Sequence, residues 1–76
     1  MTLDMMRRGE SGVVADLRGG HGVTRRLIEM GIVPGVSLRL VIDSGRAGPV
    51  IVQVGDARVG LGRGMARRVL VRPDEA

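Results

Sequence analysis

The sequence contains no cysteine, no lysine and no phenylalanine, tyrosine or tryptophan. Each absence removes a class of chemistry. Without cysteine there is no disulfide framework, no thiolate nucleophile and no cysteine-based zinc or iron–sulfur centre. Without lysine there is no Walker A loop, no Schiff base and no lysine general base. Without aromatic rings there is no base-stacking platform of the kind used by single-strand binders and RNA-recognition modules. Long apolar runs are also missing, so no helix is expected to span a membrane. The first eight residues lack the apolar centre of a signal peptide, and the expected location is the cytoplasm.

What is present fits one small domain over all 76 residues. All twelve basic residues are arginine, and eight acids are interspersed among them, for a formal net charge of +4. That is a moderately basic globular chain, not a polycation. The hydrophobic share of 43% argues against disorder. The core must be filled by Val, Leu, Ile and Met alone.

Hydrophobic periodicity predicts a mainly β chain. Thr2 is placed to cap a helical turn over residues 3–7, ending at Gly9. Residues 13–18 alternate, with Val13, Ala15 and Leu17 on the expected inner face and Val14, Asp16 and Arg18 outside. The period then changes. Val23, Leu27 and Met30 stand at i, i+4 and i+7 on one face of a short helix over residues 23–30, and Gly31 sits where a helix most often stops. Pro34-Gly35 reads as a type II turn. Residues 36–43 alternate again, with Val36, Leu38, Leu40 and Ile42 inward. Val50, Val52 and Val54 lead into Gly55-Asp56, a two-residue hairpin signal, and Ala57, Val59 and Leu61 return. Gly62-Arg63-Gly64 turns the chain, with a single 3₁₀ turn expected at Met65-Ala66. Val69 and Val71 begin a last strand that Pro73 stops, leaving residues 73–76 as a mobile tail. Five short strands with one short helix between the first two bury one face best by curling into a small barrel, and an SH3-like barrel is the natural candidate.

Candidate chemical sites are thin. His21 is the sole histidine, and one imidazole without cysteine partners is a poor metal site, so a solvated loop histidine is the better reading. Gly20-His21-Gly22 lacks the third glycine of a dinucleotide loop, Arg25 standing in its place. Gly60-Leu61-Gly62-Arg63-Gly64 lacks the Lys and Ser/Thr of a phosphate loop. The carboxylates are scattered, with only Asp74 and Glu75 adjacent, and no nucleophile elbow accompanies the serines. No enzyme, no cofactor and no metal are therefore expected.

Interaction is the better-supported class. Ile28 lies about 140° around the helix from Val23, off the buried stripe, where it marks a partner contact or lies under a loop. Val14, Val41 and Leu70 fall on the nominal outer faces of their strands, which would add an apolar outer patch. Arg25 and Glu29 share the exposed side of the helix. Arg25, Ile28 and Glu29 are thus the expected partner-binding residues. The arginine pairs at residues 7–8, 25–26 and 67–68 fit a docking surface for an acidic partner, and nucleic acid is the less favoured ligand. Unpaired barrel edges also allow a homo-oligomer through edge strands.

The run Arg25-Arg26-Leu27-Ile28-Glu29-Met30-Gly31-Ile32-Val33-Pro34-Gly35 resembles the helix and Pro-Gly turn of the FeoA family, ferrous iron transport protein A. Gly9, Gly12-Val13-Val14, the segment from Gly48 through Gly62, and Ala66 through Val71 are similar to the family's opening, its remaining strands and its close. The resemblance implies an SH3-like barrel in the cytoplasm. It implies an accessory role in bacterial ferrous iron uptake, exercised by contact with the FeoB transporter and its GTP-binding domain, with recruitment to the inner face of the membrane. It supplies no catalytic residues. A nucleic-acid-binding barrel and a metal-sensing or metal-chaperone module related to the C-terminal domain of DtxR-type repressors are the alternatives.

Overall fold

A computed structural model describes residues 1–45 and 47–74. The chain opens with a 3₁₀ turn, Leu3–Met5. It continues through β1 (Ser11–Leu17), α1 (Gly20–Glu29), β2 (Ser37–Asp43), β3 (Val50–Val54), β4 (Ala57–Leu61), a four-residue helical turn α2 (Arg63–Ala66) and β5 (Val69–Pro73). The strands form one antiparallel sheet in the order β4-β3-β2-β1-β5. Among the described residues, every fully buried side chain is apolar. Leu40, Val50, Val52 and Val69 from the sheet meet Leu3, Leu27, Ile32 and Ala66 from the connecting segments, all at 0% exposure.

The regular parts of this sheet follow the alternation in the sequence. β3 and β4 pair without interruption from Val50↔Leu61 to Val54↔Ala57, joined by the two residues Gly55 and Asp56. Val50 and Val52 are buried, as their spacing requires. The turn before β2 is built as expected: Gly35 has φ +94°, and Val36 N–H donates to Val33 O at 3.0 Å.

Two β-bulges overturn the alternation elsewhere. Between Val14 and Asp16 the register with β5 shifts, so Ala15 is an extra residue: Val14 faces Val71, and Leu17 faces Val69. Val14 is therefore buried at 1% exposure, not outward, and Ala15 is exposed. A second shift, between Leu40 and Ile42, leaves Val41 unpaired with β3. Ile42 is consequently rotated outward and is 41% exposed, where strict alternation predicts an inner position. Leu70 is half-buried and bridges to Thr2. The apolar outer patch expected from Val14, Val41 and Leu70 does not form.

The ends differ from expectation as well. The first turn stops at Met5, and the Thr2 hydroxyl donates to the Asp4 carboxylate at 2.5 Å instead of capping the backbone. The turn after Gly62 starts at Arg63, two residues before the expected position. Pro73 belongs to β5, and Asp74 N–H donates to Ser11 O at 2.9 Å, so the sheet holds the chain through Asp74. The rest of the expected tail, Glu75 and Ala76, lies outside the described residues.

Candidate partner-binding face

The helix α1 begins at Gly20, three residues earlier than its apolar spacing indicates, because Gly19 enters it with φ +114°. The glycines and His21 thus form its first turn and not a loop. The other end is closed by backbone. Met30 N–H reaches Arg26 O and Leu27 O at 3.1 Å, Gly31 N–H reaches Ile28 O, and Ile32 N–H returns to Leu27 O at 2.9 Å. Gly31 takes φ +85° there, and buried Ile32 supplies the apolar contact that accompanies such a stop. One side of the helix is anchored by fully buried Leu27, with Val23 and Met30 packed against the core on either side.

The opposite side is open. His21, Thr24, Arg25, Ile28 and Glu29 line a concavity along it. Their spacing of three, four and seven residues places them on adjoining rows of one helical surface. Ile28 is 48% exposed at the centre. Arg25 Nε lies 3.6 Å from Glu29 Oε1, with side chains 83% and 67% exposed. Such an exposed pair adds little to stability, so its charges remain available to a partner. An apolar centre with a polar, charged rim is the composition of a protein contact site. Arg25, Ile28 and Glu29 are thus brought together, with His21 one turn before Arg25. Among the described residues, no three His, Cys, Asp or Glu side chains are grouped closely enough to hold a metal ion.

A second cluster escaped the sequence reading. Arg63, the centre of the Gly-Arg-Gly stretch, turns inward and is only 16% exposed at its side chain. Its guanidinium binds the Asp43 carboxylate and donates to Gly45 O, from Nε at 3.0 Å and from one terminal nitrogen at 2.6 Å. Its other terminal nitrogen reaches Asp4 O at 3.4 Å. One side chain thereby ties α2 to the β2–β3 loop and to the N-terminal turn. Gly45 N–H donates to Asp43 Oδ1 at 2.9 Å, and this bond, with Arg63 beside it, holds the Asp43 carboxyl below its ordinary value. Arg67 Nε stands 3.9 Å from Asp4 Oδ2 on the same corner. All three nitrogens of Arg63 find acceptors inside the molecule, so this corner is a clamp, and the phosphate-loop appearance of its glycines has no counterpart in the geometry.

The family model for the FeoA domain matches residues 1–73. The chain belongs to the FeoA family. It is 32% identical over 73 residues to a protein of Methanocaldococcus jannaschii named as an Fe(2+) transport protein A, covering 96% of this chain and 87% of that one. Among solved structures, the zinc complex of Stenotrophomonas maltophilia FeoA, described as a procaryotic SH3 domain protein, is 36% identical. It has a TM-score of 0.83, and the match covers 95% of this chain and 89% of the other. A manganese-dependent transcriptional repressor is 27% identical with a TM-score of 0.88, but the match spans only 41% of the repressor. The FeoA-family chain is therefore an SH3-like barrel, and the same barrel occurs as one part of a larger regulator.

Proposed function

We propose that this FeoA-family chain is an accessory protein of ferrous iron uptake that works by contact with an FeoB-like transporter, at its cytoplasmic GTP-binding domain. Family membership and the likeness to the M. jannaschii protein support the pathway. In this reading the chain meets the transporter's cytoplasmic domain at the inner face of the membrane; among the described residues no helix is long and apolar enough to cross a membrane. The observation that carries the surface is Ile28, 48% exposed, about a quarter-turn around α1 from its buried Leu27 anchor and flanked by Arg25 and Glu29. Exposed apolar anchors within a polar rim are where contact energy concentrates. The work is binding, not catalysis.

A binding titration against the transporter's cytoplasmic domain tests this reading. Ile28→Asp and Arg25→Glu are each expected to weaken binding about tenfold or more, as loss of a central anchor does, with an unchanged circular dichroism spectrum. Unaltered affinity in both variants would remove α1 as the contact surface. Failure of the unmodified chain to bind would remove the partner.

A further inference from the structure

The two edges of the sheet are treated differently. The outer edge of β5 is covered by the chain's own start: Val71 N–H donates to Met1 O at 2.7 Å, the Met1 ammonium donates back to Val71 O at 3.1 Å, and Thr2 bridges Leu70. The outer edge of β4 pairs with nothing among the described residues. Two of the usual protections, proline and a bulge, are missing, and Arg58 supplies the one charge on this edge. Residues 57–61 contain no proline and no lysine, and the β3–β4 register has no bulge to twist the edge away.

The hairpin fixes which groups that edge offers. Val54 and Ala57 flank a two-residue connection, so they exchange both backbone hydrogen bonds, and bonded pairs then alternate. Ala57, Val59 and Leu61 direct their backbone groups toward β3. The N–H and C=O of Arg58 and Gly60 point away, toward solvent.

We infer that this edge pairs antiparallel with the same edge of a second copy of the chain, about a twofold axis at Val59. In that register Arg58 lies opposite the partner's Gly60 and exchanges both bonds with it, and the symmetry repeats the exchange, for four bonds in all. No two guanidinium groups stand opposite each other, as they would if the axis passed through Arg58. Gly60 provides the room: a Cβ there would meet nothing within 4 Å, and its backbone is not in the left-handed region. Association stops at two, because the outer edges of the joined sheet are the β5 edges already covered by Met1 and Thr2. A contact of one short strand per copy is small, so the dimer forms only at high protein concentration.

Sedimentation equilibrium over a concentration series reads this directly. The unmodified chain is expected to show a monomer–dimer equilibrium. Gly60→Asp sets a carboxylate opposite Arg58 at two symmetric places and is expected to tighten the dimer about fivefold, while Gly60→Arg sets like charges there and loosens it by a similar factor. Arg58→Pro, which removes an outward N–H and none of the β3 bonds, is expected to abolish it. Thermal melts at low concentration confirm that each monomer is folded. A monomer at every concentration up to millimolar for both the unmodified chain and Gly60→Asp would overturn the proposal, including the case in which the edge takes only an extended peptide from another protein. A dimer insensitive to all three substitutions would overturn it too.

Discussion

Arg63 and Arg25 carry the same charge and meet a carboxylate each, yet the regions around them work in opposite ways. Arg63 is drawn in at 16% exposure and bonds to groups far away in sequence, at Asp43, Gly45 and Asp4. Arg25 stands 83% exposed, and its ion pair is with Glu29, one turn along its own helix. The first arginine closes the molecule on itself. The second leaves its charge for something else to meet. An arginine's role here is decided by whether the chain brings backbone carbonyls to it, which residue type alone does not reveal.

The sharpest way to separate the two regions is to disturb their supports. Leu27 is the fully buried anchor of α1, and Leu27→Ala is expected to cost about 3 kcal/mol of stability, from lost burial and the cavity left behind. In urea unfolding followed by circular dichroism, a loss below about 1 kcal/mol would mean that α1 is not fastened through its core side. Arg63→Ala removes bonds to two backbone carbonyls from a charged donor and is expected to cost roughly 2 kcal/mol. For a domain of this size that corresponds to a melting point lower by roughly 10 °C. Affinity for the transporter domain should be unchanged once the variant is folded. Parallel loss of binding would mean that the clamp and the helix face are one site. Arg25→Glu or Ile28→Asp should shift stability by less than about 0.5 kcal/mol, as exposed positions do, while weakening binding. A large stability loss from either would place these residues among the structural ones.

The same contrast explains what could be read from the sequence. The grouping of Arg25, Ile28 and Glu29 was legible because they are neighbours by helical spacing alone, whereas the glycines around His21 hid the helix's first turn and gave it the look of a loop residue. The β3–β4 hairpin was legible because Val50, Val52 and Gly55-Asp56 obey a strict local period. Val14 and Ile42 were misplaced for one physical cause. A bulge adds a residue to one strand only, at Ala15 and again at Val41, and every side chain beyond it changes face. Neither bulge carries a glycine that would have announced it. The clamp was invisible because its partners come from three separate elements, and only the folded sheet brings Asp4, Asp43 and Gly45 to Arg63.

The smallest expected effect tests how tightly that corner is coupled. The folded Asp43 carboxyl is held below its ordinary value of 3.8, first by the Gly45 N–H and then by Arg63. A depressed carboxyl contributes stability that is fully present above the unfolded value and is lost as pH falls through the folded one. Urea unfolding between about pH 5 and 2 should therefore show a fall in stability with acid that is shallower in Asp43→Asn than in the parent. A carboxyl NMR titration divides the cause. In Arg63→Ala the Asp43 midpoint should rise yet stay below 3.8, because the Gly45 N–H remains and outweighs the burial that opposes it. A midpoint returning fully to 3.8 would carry a different meaning: the Gly45 bond would exist only while Arg63 holds the Gly45 carbonyl. The loop would then depend on the arginine for its shape as well as for its charge.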